Sequence, residues 1–545
     1  MKKEDILKNL DVSESDAQDI PNDYVKHQEA ARQKQHEEYV SRGIPYNVIE
    51  ILESKKLKKE QQERVEKLPW ETLKNPPVFS DEGTAQELLD ANHIGMEDVK
   101  SRIMDYYCSQ FKNGATLLFV GPPGVGKTSI ALQIAKACNR PWYKVSLSGI
   151  ASAHEIIGVD PTFSQALPGE ILRAVEYTNS FYPLIILDEI DKVGRSKEHG
   201  DPQNALLEVL DTNRECFRDR YLGIPIDLSN FIFIATANDL SEISPILRDR
   251  LEIIEIGGYN KELKKIILKE QVIPNVSKKI LTEPNKIFSI NDAAINRIIY
   301  EYVVEPGVRE LYDYADKLIR HANRIYLHNH RKTTITHKNL EEYIGSPKRV
   351  QLSRDANDVI GSANTSILRS TKYAQILTIH TEVLENGTGE IICTGGIEGF
   401  AKEGVKIAKS LVRRNTRTIV IPLNFFTDKD IHVHSEYHPA IKKSNCVSLA
   451  IFITLVSTIL KRPIPLSDMF AGNLALDGKI GYIKNLDEYL EAAIESNLKR
   501  VYVSTENIQA KPNLIEEYKE QIEIIPLSNI NDVLDKIFYT KEDFS

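Results

Sequence analysis

The chain has 545 residues, 41% hydrophobic and 27% charged, a balance that fits several water-exposed domains each with its own core. Its net charge of -9 argues against a general nucleic-acid or anionic-membrane binder. Five cysteines (Cys108, Cys138, Cys216, Cys393, Cys446) show no CxxC spacing, so nothing suggests a zinc site or disulfide framework, and a reducing, cytoplasmic setting fits.

Residues 1–75 are polar and charge-dense, with helices expected over 23–39 and 48–65. Met1–Asp11 lacks the apolar stretch of a signal peptide. The run Lys55, Lys56, Lys58, Lys59 is followed by Glu60, Glu63 and Glu66 and reads as a solvated helix face. Pro76 and Pro77 then punctuate the chain. Over 76–257, short apolar runs alternate with helix-period segments, the pattern of a parallel α/β sheet, with strands expected at 116–120, 142–145, 184–187, 231–235 and 253–256. Residues 259–345 read as mostly helical, and 346–362 as a linker. From 351 to 545 a separate α/β unit is expected, with strands at 376–383, 418–421 and 501–503. The apolar run Cys446–Leu460 falls short of the roughly 20 residues a membrane span needs and reads as a buried helix.

Gly121-Pro122-Pro123-Gly124-Val125-Gly126-Lys127-Thr128-Ser129 follows an expected strand and opens a helix. Glycines let backbone N–H groups curl around phosphate oxygens, and the helix start adds donors and a favourable dipole. Lys127 is placed to reach the β- and γ-phosphates of ATP, and Thr128 to hold Mg2+ through its hydroxyl. Leu184–Glu189 is an apolar strand ending in two acids: Asp188 for the Mg2+ shell, Glu189 to orient and deprotonate a water. A second apolar strand ends at Asn238, whose amide can position that water.

These segments resemble the AAA+ ATPases, and most specifically the Lon family of ATP-dependent proteases. The likeness rests on GPPGVGKTS at 121–129, PLIILDEIDK at 183–192, GDPQNALLEVLD at 200–211, PGVRELY at 306–312 and the entry Leu68-Pro69-Trp70. It implies an AAA+ module with a large α/β part (76–257) and a helical lid (258–350), then a Lon-type proteolytic domain (351–545). It further implies a homo-hexameric ring that acts on polypeptide. By this resemblance Asn238 is the first sensor and Arg309 the second. Arg250 is the arginine finger, with Arg248 as the alternative because the segment after Asn238 looks one residue long. Phe163 takes the aromatic slot of a substrate-gripping pore loop, with Ser164 beside it. Family members carry a large recruiting domain at the N-terminus that 75 charge-dense residues do not match, so substrate choice does not carry over.

In the C-terminal half, Thr394-Gly395, Asp430-Ile-His432-Val-His434 and Ala471–Gly478 find counterparts at matching spacing. A Lon site pairs a serine at the start of a buried helix with a lysine on a later helix, kept unprotonated by an apolar pocket. Here Cys446 stands at the serine position and Tyr489 at the lysine position. Lys443, Ala471 and Asn473 replace neighbouring family residues. The resemblance therefore points to a motor with a degenerate peptidase site. Two alternatives stay open: an active peptidase, or a regulatory subunit of an active Lon ring. A Cys446 thiol served by His432, His434 or His438 would give the first. So would Ser444 or Ser448, or Lys484 through a register shift.

Overall fold

The computed structural model describes residues 22–54, 56–111, 116–163, 166–194, 200–211, 214–347, 358–370, 373–415, 419, 421, 424–435, 441, 444 and 446–538. They fall into two compact units: up to Val120 with Lys127–Ile254, and Gly121–Gly126 with everything from Glu255 onward.

The first unit is built on a sheet of five strands, β1 (Thr116–Val120), β2 (Trp142–Ser146), β3 (Leu184–Asp188), β4 (Ile232–Ala237) and β5 (Glu252–Glu255), in the order β2-β3-β4-β1-β5. Strands β1, β3 and β4 are almost wholly buried, which their unbroken apolar sequence requires: helices cover both faces, the condition for a parallel sheet. The registers Ser146↔Asp188 and Leu187↔Ala235 bring the carboxyl ends of β2, β3 and β4 level. In open α/β sheets that edge is where ligands bind.

The helix expected over 48–65 is two helices, Tyr46–Glu53 and Lys59–Lys67. The break is set by Gln61, whose side chain accepts the Lys58 N–H at 2.9 Å and donates to the Tyr221 carbonyl, starting a new helix. Lys56, Lys58 and Lys59 are exposed as expected, and Lys55 lies outside the described residues. Val48, Ile49, Leu52, Val65, Leu68 and Trp70 join the core of the sheet, where Trp70 stacks on Phe181 at 4.7 Å.

The second unit opens with helices, the longest being Arg309–Asn329, and a two-stranded pair of β6 (Phe288–Ile290) and β7 (Thr333–Ile335). A seven-stranded sheet follows: β8 (Ser362–Ser370), β9 (Tyr373–Glu385), β10 (Ile391–Thr394), β11 (Lys429–Ser435), β12 (Asp468–Ala471), β15 (Arg500–Ser504) and β16 (Glu523–Leu527), in the order β10-β11-β9-β8-β12-β15-β16. A hairpin of β13 (Asn473–Leu474) and β14 (Ile480–Gly481) leaves β12. The expected linker lies mostly outside the described residues, and Ser362 begins β8. Of the strand expected at 418–421, Ile419 is helical and Ile421 is outside any strand, while residues 418 and 420 lie outside the described residues.

Alternation along the strands divides this core. Phe470 and Tyr502 pack with the helices Phe400–Arg414 and Ser448–Leu460, whereas Met469, Ala471, Val501 and Val503 pack with Leu486–Glu495. The long apolar run is thus a buried helix, and no helix among the described residues is long and apolar enough to cross a membrane.

His93 is buried in the first unit, with neither ring nitrogen hydrogen-bonded, and burial pushes its pKa down to about 4. Below pH 6.5 the unfolded chain takes a proton that the folded chain refuses. Stability present above that pH is therefore lost as pH falls toward 4, by up to about 3 kcal/mol. The urea midpoint is expected to drop between pH 7 and pH 5, and His93→Leu to flatten that dependence.

Candidate functional site

At the carboxyl end of β3, Asp188 collects donors from three elements of the first unit. Its Oδ1 accepts the Thr128 hydroxyl at 3.1 Å and the Thr236 hydroxyl at 2.7 Å, and its Oδ2 pairs with Lys144 Nζ at 2.5 Å. Burial raises the carboxyl's pKa, but the Lys144, Thr236 and Thr128 hydrogen bonds outweigh it and hold the group below its ordinary value. Asp188 is therefore ionised at neutral pH. Two hard oxygen donors, Thr128 and Asp188, stand together, the set a magnesium ion takes.

Lys127 is buried at the start of the helix Lys127–Ala137 and donates to Asn238 Oδ1 at 2.9 Å. Glu189 has a φ of 58°, uncommon for a residue with a side chain, and its N–H donates to Thr236 Oγ1 at 3.1 Å. The chain thus turns out of β3 at Glu189. Asp191, buried, accepts the N–H groups of Asn238 and Asp239 at 3.0 and 3.2 Å and fixes the turn that carries the amide. Ser129 is exposed on the helix.

In the second unit, the Gly121–Gly126 loop closes on the start of the Arg309–Asn329 helix. Gly124 and Gly126 have φ of 81° and 96°, open to glycine at no steric cost. The Val308 N–H donates to the Gly124 carbonyl at 3.0 Å, and the Tyr259 hydroxyl to the Val125 carbonyl at 3.1 Å. A Cβ on Gly307 would lie 2.5 Å from the Pro123 carbonyl oxygen, and one on Gly121 would lie 2.1 Å from that of Ile256. Glycines thus let the loop backbone turn and pack where a Cβ would clash, the freedom a phosphate-binding loop needs.

Arg248 donates to the carbonyls of Leu240 and Ile243 at 2.6 and 3.2 Å, whereas Arg250 is half-exposed with Asp211 at 3.3 Å. Phe163 is 66% exposed on a loop whose stems close through Val159 N–H to the Leu167 carbonyl, so it is not a core residue; Ser164 lies outside the described residues. Asp219, fully buried, accepts the N–H groups of Gly169, Tyr221 and Leu222 beneath that loop.

In the C-terminal sheet unit, Cys446 Sγ lies 2.9 Å from the Tyr489 hydroxyl, both buried, and the Ser444 hydroxyl donates to the thiol at 3.4 Å. Burial, reinforced by the adjacent thiol, pushes the Tyr489 phenol above its ordinary pKa. Ser448 is buried, its hydroxyl taking the Leu474 N–H at 2.8 Å and donating to the Gly472 carbonyl. His432 and His434 meet on the Thr394 hydroxyl at 2.9 and 2.8 Å, and Lys484 is exposed. Among the described residues no amine is hydrogen-bonded to the thiol; His438 and Lys443 lie outside them.

Residues 117–258 match the family described as ATPases associated with various cellular activities (AAA), and residues 334–540 the Lon protease (S16) C-terminal proteolytic domain. The chain belongs to the Lon family. It is 34% identical over 473 residues to the Lon protease of Rhizobium meliloti, covering 86% of this chain and 58% of that protein. It is 35% identical to the Lon protease of Brucella suis (86% and 57%) and 34% identical to that of Fervidobacterium nodosum (86% and 58%). The chain thus spans under two thirds of the length of these Lon proteases.

The structure joins Lys127 to Asn238, Thr128 to Asp188, and Cys446 to Tyr489. Sequence reasoning missed Lys144, Asp191, Thr236 and Gly307 in this Lon-family chain. Their signals were a lysine in an edge strand, and residues inside motifs already read: Asp191 in 183–192, Thr236 in the strand ending at Asn238, and Gly307 in 306–312. Gly307→Ala is expected to weaken binding of a fluorescent ATP analogue by about tenfold or more, the range of an overpacked contact. Gly149→Ala, whose Cβ would meet nothing within 4 Å, is expected to leave it unchanged.

Proposed function

We propose that this protein is a Lon-like AAA+ ATPase that couples ATP hydrolysis to unfolding or threading of polypeptide in the cytoplasm, as a homo-hexameric ring without peptide cleavage. Bound Mg2+ and ATP would supply the phosphoanhydride and the charge that activates it. Lys127 and the Gly121–Gly126 backbone bind the phosphates, Thr128 and Asp188 hold the metal, and Glu189 takes the proton of a water that Asn238 positions. Arg309 answers developing charge from within the chain. Arg250 answers it from a neighbouring subunit, because Arg248 is committed to local carbonyls. Phe163 grips extended chain by shape and apolar contact.

The absence of cleavage is carried by one observation: the buried Cys446 thiol faces a phenol of raised pKa at 2.9 Å. A nucleophile needs a partner that accepts its proton near neutral pH, and a protonated phenol does not. The whole peptidase-like scaffold then serves assembly or docking.

Glu189→Gln is expected to lower ATP turnover by about 100-fold or more, the usual contribution of a general base, while the nucleotide still binds; unchanged turnover would contradict the assignment. Iodoacetamide is expected to alkylate the exposed Cys108 well before the buried Cys446. Preferential labelling of Cys446 would instead mark an activated thiol.

A further inference from the structure

Lys144 lies on β2, the edge strand, and its ammonium occupies Asp188 Oδ2 while two hydroxyls occupy Oδ1. Both oxygens of the residue assigned to the metal are thus engaged in this state. An ammonium at 2.5 Å cancels most of the charge that a carboxylate offers a divalent cation, and it repels that cation directly. The lysine side chain is 41% exposed and the Asp188 side chain only 15%, so the lysine is the partner free to leave.

A place for it exists. Lys144 lines a cavity of about 440 Å³ that also presents Glu155 and Glu170, the latter paired with Arg173 at 2.6 Å, with Val159, Leu167 and Pro168 as another wall. Those last three belong to the stems of the loop that carries Phe163. An ammonium swung into this cavity has the Glu155 carboxylate, which otherwise accepts the Ala151 and Ser152 N–H groups, as its acidic neighbour.

We propose that Lys144 is a positioning residue that competes with magnesium for Asp188, holding the carboxylate when metal is absent and turning into the adjoining cavity when metal binds. This rests on the nucleotide-site reading above. It gives the metal site a threshold set by a side chain that also borders the Phe163 loop.

The test is binding of fluorescent ADP to the full-length protein, titrated with Mg2+, and it needs no turnover. Lys144→Met is expected to lower the Mg2+ midpoint by roughly fivefold, the factor a half-exposed ion pair supplies. Lys144→Arg is expected to keep the wild-type midpoint, and metal-free ADP affinity to stay within about twofold in both, because no phosphate contact changes. Should Lys144→Met fail to fold, Lys144→Gln carries the same expectation. A midpoint that stays or rises on loss of the ammonium overturns the Lys144 assignment alone. A wild-type protein that binds no ADP at any Mg2+ concentration overturns the nucleotide-site reading and this inference with it.

Discussion

The Asp188 carboxylate is held at the end of β3 by a lysine from β2, a threonine from β4 and a threonine from the helix that follows the glycine-rich loop. A half-buried carboxylate costs free energy unless donors surround it, and here the donors come from separate elements. The group therefore ties the register of β2, β3 and β4 to the start of the helix. Everything assigned to phosphate chemistry in the first unit sits within one turn of that knot. Glu189 follows it, Asn238 is reached through Asp191, and Lys127 precedes Thr128.

The C-terminal unit shows the opposite relation between scaffold and site. Its seven-stranded sheet, its buried Ser448–Leu460 helix and its Leu486–Glu495 helix are fully packed, and they bring two side chains together as a reactive pair would be brought. A thiol and a phenol meet at hydrogen-bond distance inside an apolar pocket, and burial there disfavours ionisation of the phenol. Such a pair stabilises the contact between the segments that carry it.

Much of the candidate phosphate site was legible because each part is local: a glycine-rich loop between strand and helix, and apolar strands ending in Asp188 and Asn238. Lys144 was not legible. Its partner is 44 residues away and is chosen by strand register, which no single segment encodes. Gly307 was hidden for a similar reason, since its need for no side chain arises at Pro123, far back in the chain. The break before Lys59 was missed by reading 48–65 as one helix-forming stretch, through a segment where Gln61 starts a fresh helix. In the C-terminal half, placing Tyr489 against Cys446 depended on the family resemblance, because neither residue announces chemistry by spacing. The strand expectation did not hold at Ile419, because a short apolar run is the pattern least able to separate strand from helix.

The central claim is that phosphate-bond energy is spent here without amide hydrolysis. The most direct measurement follows inorganic phosphate and labelled casein fragments in the same reaction with ATP and Mg2+. The account predicts steady phosphate release with casein left intact. Fragments that require ATP, and that vanish in Cys446→Ala, would contradict it.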